Sequence, residues 1–308
     1  MGSSSSVATP TPKAPALTAA PADRHGAAPT PKRRFLGLGA RVAAAAVFLP
    51  CFTIIARRGD IYFVLLVNFV ACAGTLEFLR MLEAKGLKPQ RGTALLAAIA
   101  MPWLAFVRTG LYAEFGLTVL LVVIFAHELG RDRGEPLAHV AGATLCTTYV
   151  AWLASHLVGL RELPRLTGRP YELGFHAIGF VFVTTWMADT GAYLVGSLIG
   201  RHKLAPRISP GKSVEGAAGG IVAATASGWL FARALMAGEI SLSSGALLGA
   251  LAGIMGLLGD LAESLIKRDA HVKDASGAIP GHGGALDRFD SVLFSAPLLY
   301  YVLRFFVL

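Results

Sequence analysis

The sequence predicts an all-α, polytopic integral membrane protein with about nine transmembrane helices and a cytoplasmic N-terminus. Three observations predict it. Hydrophobic residues make up 54% of the 308 and charged residues only 15%, with mean hydropathy +0.59. A soluble domain carries about 25% charged residues, so most of this chain is solvated by lipid. Its apolar stretches are apolar throughout, whereas the strands of a membrane barrel alternate in polarity over roughly ten residues. Finally, Lys and Arg gather in alternate loops, as they do on the cytoplasmic side of helical membrane proteins.

Residues 1–34, rich in Ala, Pro, Ser and Thr, read as a disordered tail. Lys13, Arg24, Lys32, Arg33, Arg34 and Arg41 face a single acid, Asp23, which makes this a basic juxtamembrane flank. Residues 1–34 contain no aromatic residue to stack on bases, which argues against nucleic acid. From there, apolar segments lie near 41–57, 60–79, 93–108, 111–127, 137–160, 173–199, 214–236, 244–259 and 291–307. The first, third and eighth are short for a core of ~30 Å. They divide into N-terminal transmembrane helices over 35–170 and a C-terminal catalytic region over 171–308. With nine spans, the loops holding Arg80 to Arg91, Arg131 with Arg133, Arg201 to Lys212, and Lys267 to Arg288 share the cytoplasmic face. Arg57, Arg58 and Arg161 to Arg169 fall on the other. No fixed-period repeat and no separate soluble domain is visible, so chemistry takes place at the membrane. Cys51, Cys72 and Cys146 fall within apolar segments without metal-ligand spacing and read as buried thiols.

Charge returns in a few clusters. In GDLAESLIKRD (259–269), a helix continuing past Gly259 would put Asp260, Glu263, Ser264 and Lys267 on one stripe. Lys273 to Gly284 holds four glycines and a proline, a structured turn whose backbone N–H groups approach an anion, with Lys273 and His282 as further donors. Asp287 and Asp290 open the last apolar segment. One acid suffices to cap a helix; two, with Asp260 nearby, suit a hard cation such as Mg²⁺ that also binds substrate phosphates. In WMADTGAYLVGSLIG (186–200), Trp186, Asp189, Tyr193, Gly196 and Gly200 form a polar and small-residue stripe, and an ionisable residue inside a span marks a functional site. Asp189, about three turns from the cytoplasmic end, should face the interior, where water or a partner reaches it. RHKLAPRISPGKSVEG (201–216) contains GKS, but Pro206 stands where a P-loop needs glycine and no preceding strand is expected, so a Walker site is rejected. Lys212, Ser213 and Glu215 remain as an anion corner at a helix start.

The run SLIKRDAHVKDASGAIPGHGGALDRFD (264–290) resembles, without gaps, the signature of phosphatidate cytidylyltransferases, also called CDP-diacylglycerol synthases. GDLAES, WMADTGAY and SPGKSVEG are similar to other blocks of that family, and the resemblance covers roughly residues 180–300. It implies an all-helical membrane enzyme that joins CTP and phosphatidate into CDP-diacylglycerol and pyrophosphate. It further implies Mg²⁺, with room for a second cation, held by Asp260 and Asp287 with Asp290. Lys267, Arg268 and Arg288 would neutralise phosphates, and His282, Gly283 and Gly284 would cradle them. Lys212 and Ser213 with Glu215, Ser264 and Lys273 would complete the pocket, and Asp189 would form its membrane-side wall. A homodimer in the inner membrane, with the active site facing the cytoplasm, is implied in the same way. The rivals are a cytidylyltransferase for an isoprenoid-ether lipid phosphate and, from another class, a transporter with Asp189 as an ion relay.

Overall fold

The computed structural model describes residues 46, 48–107, 111–131, 134–272 and 284–307. They form helices α1 (48–58), α2 (Asp60–Ala84), α3 (Arg91–Val107), α4 (Leu111–Leu129), α5 (Pro136–Cys146), α6 (Leu153–Thr167), α7 (Glu172–Ile199), α8 (Val214–Leu235), α9 (Leu242–Asp269) and α10 (Leu286–Val302). Residues Thr147–Trp152 join α5 to α6 as a π-helical turn, so 136–167 is one continuous rod. Among the described residues seven helices are long and apolar enough to cross a membrane, and α3 is a shorter apolar one. The first expected segment, 41–57, lies partly outside the described residues. Large apolar side chains cover the outside, with Phe69 72% and Leu198 80% exposed. In water such a surface would aggregate; in lipid it is the natural solvent contact.

The chain passes back and forth between two ends. At one end Lys85 pairs with Asp269 and Arg131 donates to the Lys88 carbonyl. At the other, Arg57 pairs with Glu172, Arg165 with Asp60, and Arg169 with Glu239. Between them α2, α3, α6, α7 and α10 share one apolar core. Asn68 on α2 anchors α3 by donating to the carbonyls of Ala98 (2.9 Å) and Ile99 (3.0 Å). Such polar contacts hold helices together where lipid removes the hydrophobic incentive.

Helices α7, α8 and α9 pack by close approach of their backbones. Gly216, Gly220, Ala224, Gly228 and Ala232 recur every fourth residue, one stripe of α8, and all are buried. A Cβ added at Gly220 would lie 2.7 Å from the Ala188 carbonyl oxygen of α7. On α9 one added at Gly249 would lie 2.3 Å from that of Ala224. This is small-residue packing of the kind membrane helices use.

Two expectations change. A short antiparallel hairpin, β1 (Lys203–Ala205) and β2 (Ser209–Ser213), links α7 to α8 where only loop was expected. A strand therefore does precede GKS, yet Lys212 lies inside β2 itself and Ser213 caps α8, so the Walker geometry is still missing. And Cys51 is exposed on α1, Cys72 half-buried, and only Cys146 buried. Apolar surroundings in sequence did not distinguish a lipid-facing position from a core one.

Candidate active site

The charged clusters meet where α7, α8, α9 and α10 come together at the end marked by Lys85 and Asp269. Helix α9 runs unbroken through Gly259 to Asp269. That continuation puts Ser264 against Asp260 (Oγ donating to Oδ1, 3.4 Å) and Lys267 against Glu263 (3.2 Å). Gly259 lets α10 cross in contact, since a Cβ there would lie 2.3 Å from the Asp290 carbonyl oxygen. The crossing brings acids of two helices together.

Lys267 Nζ sits between Glu263 and Asp287, 2.6 Å from Asp287 Oδ1. The other oxygen of Asp287 accepts the N–H of Gly284 at 2.8 Å, so this acid also fixes the turn that leads into α10. Lys212 of β2 reaches across to Asp260 Oδ2 at 2.6 Å. Asp290 accepts the N–H of Ser291 (2.6 Å). Glu263 is 1% exposed, and an ion this deep persists only when paired.

Between α7, α8 and α9 lies a cleft of about 400 Å³ lined by Asp189, Tyr193, Gly196, Lys212, Ser213 and Asp260, among others. The same glycines that let the helices touch leave this space unfilled: Gly196, Gly216 and Gly220 contribute wall without side chains. Asp189 lines the cleft and is exposed. Trp186 instead packs on Phe182, with ring centroids 5.6 Å apart, and Gly200 closes α7 beside Ser213. Ser213 Oγ accepts the N–H of Gly216 (3.1 Å), capping α8.

Three expected members, Glu215, Arg268 and Arg288, are not in the wall of the cleft. Glu215 points away from the cleft, accepting the N–H groups of Arg201 (3.1 Å) and His202 (3.2 Å) and the His202 ring nitrogen (2.5 Å). It holds the start of the hairpin to α8. Arg268 is exposed and aims its Nε at the Ile208 carbonyl (3.4 Å), tying α9 to the hairpin. Arg288 is exposed on the first turn of α10. Lys273, His282 and Gly283 lie outside the described residues.

Sequence reasoning missed Glu77. This α2 carboxylate is 2% exposed and accepts the N–H of Ala285 at Oε1 (2.9 Å) and of Leu286 at Oε2 (2.8 Å). A lone acid in the apolar run AGTLEFLRM was the available signal.

As a donor set, Asp189, Asp260, Glu263, Asp287 and Asp290 supply hard oxygens within electrostatic reach of one another, around two ammonium groups. That chemistry suits Mg²⁺. Among the described residues no three of them converge on one point, because Lys212 and Lys267 stand between.

A model of the cytidylyltransferase family matches residues 39–306, taking in the first half of the chain as well as the charged C-terminal blocks. The phosphatidate cytidylyltransferase of Synechocystis sp. is 37% identical over 264 residues, 79% of this chain and 88% of that protein. That of Bacillus subtilis is 34% identical over 270 residues, 86% of this chain and 96% of that one. That of Haemophilus influenzae is 37% identical over 197 residues, 63% and 66% of the two chains.

Proposed function

The chain belongs to the cytidylyltransferase family, and on that premise we propose that it transfers the cytidylyl group of CTP to phosphatidate, giving CDP-diacylglycerol and pyrophosphate. The observation that carries this reading is the pairing of Lys212 with Asp260 in the wall of a cleft set among lipid-facing helices, with a second pair, Lys267 and Asp287, two turns further along α9. Ammonium groups placed there neutralise phosphates, and the apolar flank admits a diacyl lipid from the side.

In the reaction a phosphatidate phosphate oxygen attacks the α-phosphorus of CTP. The new P–O bond forms as the bond to the β-phosphate oxygen breaks, and pyrophosphate departs with the electron pair. The nucleophile is already an anion, so no strong general base is needed. Catalysis then rests on positioning and on charge neutralisation. Lys267, held by Glu263 and Asp287, would lie along the polyphosphate, and Lys212 would meet the lipid or nucleotide phosphate from the hairpin. If Lys212 and Lys267 turned from Asp260 and Asp287 to phosphate, those two acids, with Asp290, would hold Mg²⁺, which would neutralise the triphosphate further, with Asp189 at the membrane-side wall. The Lys and Arg excess at the site-bearing end supports a reading in which the site faces the cytoplasm at the inner membrane, with the N-terminus on the same side and nine spans in all.

The test is pyrophosphate release by detergent-purified protein given Mg²⁺, CTP and phosphatidate, each omitted in turn. Release that needs all three, with a CDP-lipid as product, is expected. Release with an isoprenoid-ether phosphate but not with phosphatidate would transfer the reading to that lipid; transport of solute without nucleotide turnover would end it.

A further inference from the structure

We propose that Glu77 is a positioning residue: from the N-terminal half of the chain it clamps the first turn of α10 and so sets where Asp287 stands against Lys267. The proposal rests on the cytidylyl-transfer reading for its effect on turnover and on geometry alone for the clamp.

Three successive N–H groups open α10, and none has an intrahelical acceptor. Gly284 donates to Asp287 within the turn, at 2.8 Å. Ala285 and Leu286 have no such local acceptor; their N–H groups go to the two oxygens of Glu77, 208 and 209 positions earlier in sequence. A carboxylate inside an apolar helix is costly, and it is retained here in a place where both oxygens are used and the N-terminal dipole of α10 favours its charge. The fit is specific from the other side as well. A Cβ at Gly284 would lie 2.5 Å from Glu77 Oε2, so a side chain at this position would push the carboxylate away from the N–H groups it accepts. Helix α2 makes a second tie one helix end away, where Lys85 pairs with Asp269 at the close of α9. Residues 273–283 thus connect two chain ends that are both fastened to α2.

A cap that merely stabilised the fold would be replaceable at some loss of stability. A clamp that sets the Asp287–Lys267 geometry has a different signature, because Asp287 lies two residues from the clamped N–H of Ala285. Glu77→Gln preserves shape and one acceptor oxygen but turns an NH₂ group toward a backbone N–H. In the full-length protein in nanodiscs, kcat for CDP-lipid formation is expected to fall by ~10-fold or more with KM values for CTP and phosphatidate within about threefold. Hydrogen exchange is expected to rise in the peptide that begins at Gly284 while peptides from α3 to α5 are unchanged. Leu79→Ala, a cavity one half-turn further along α2, serves as the stability control and should lower the thermal midpoint while keeping kcat per folded molecule.

Exchange at Gly284–Asp287 unchanged by Glu77→Gln would overturn the clamp. So would a kcat within about twofold of wild type, or a loss that Leu79→Ala reproduces at the same thermal midpoint. If wild-type protein forms no CDP-lipid, the cytidylyl-transfer reading falls, and the exchange measurement still decides the clamp.

Discussion

At the scale of the residue, Asp287 shows how one carboxylate serves two tasks. Its Oδ2 accepts the Gly284 N–H while Oδ1 meets Lys267 at 2.6 Å. Asp287→Asn keeps an acceptor for the Gly284 N–H but loses the charge that Lys267, or a cation in its place, requires. Turnover is expected to fall below detection while the protein stays membrane-inserted and folded; near-wild-type activity in that variant would exclude Asp287 from metal and phosphate binding. At the other end of the same helices, Arg161 is fully buried and donates to the carbonyls of Ala56 (2.7 Å), Arg57 (2.9 Å) and Tyr171 (3.2 Å). It stacks on the Tyr171 ring at 4.0 Å, and Gly59, at φ +66°, leaves no room for a side chain beside it. Arg161→Met strands these carbonyls, and is expected to cost about 3 kcal/mol. The measurement is a large drop in thermal midpoint with activity per folded molecule retained, because the cluster lies a helix length from the cleft.

Among the elements, α8 and α9 depend most on what their sequences lack. Their glycines bring backbones into contact, and that contact delivers Lys212, at the foot of α8, to Asp260 on α9. Gly249→Val would push a branched side chain into the Ala224 carbonyl, already 2.3 Å from an added Cβ. The expected result is destabilisation by about 1–3 kcal/mol and a parallel fall in activity, read by thermal melting and pyrophosphate release. Gly92→Ala is the contrast: nothing lies within 4 Å of an added Cβ on α3. That change should be neutral or stabilising by up to about 1 kcal/mol. The stripe at every fourth position of α8 was visible in the sequence as small residues. Which neighbour it met was not, since small-residue spacing specifies a close contact without naming the partner.

Over the whole molecule, the ion pairs at the two ends sort the loops into two sets. Lys88 and Lys203 belong to the end bearing the cleft, Arg169 to the other. In a protein with its native cysteines replaced, Lys88→Cys and Lys203→Cys are expected to react with an impermeant maleimide from one side of the membrane and Arg169→Cys from the other. Labelling of Lys88→Cys and Arg169→Cys from the same side would contradict the arrangement of α2 to α7.

The sequence by itself determined the solvent and the element type: apolar runs of membrane length admit only helices, since lipid offers backbone groups no partner outside the chain. It also marked candidate site residues, Asp189 by its place inside a span and Lys212, Asp260, Lys267 and Asp287 by their gathering in charged clusters between spans. Tertiary structure alone decided which of them meet. Lys267 turns to Asp287 on another helix as well as to Glu263 on its own, Glu215 pairs with His202, and Glu77 reaches α10 across more than two hundred residues. Spacing along a helix predicts neighbours on that helix; contact between helices depends on where their glycines allow the backbones to touch, and that is a property of the packed bundle.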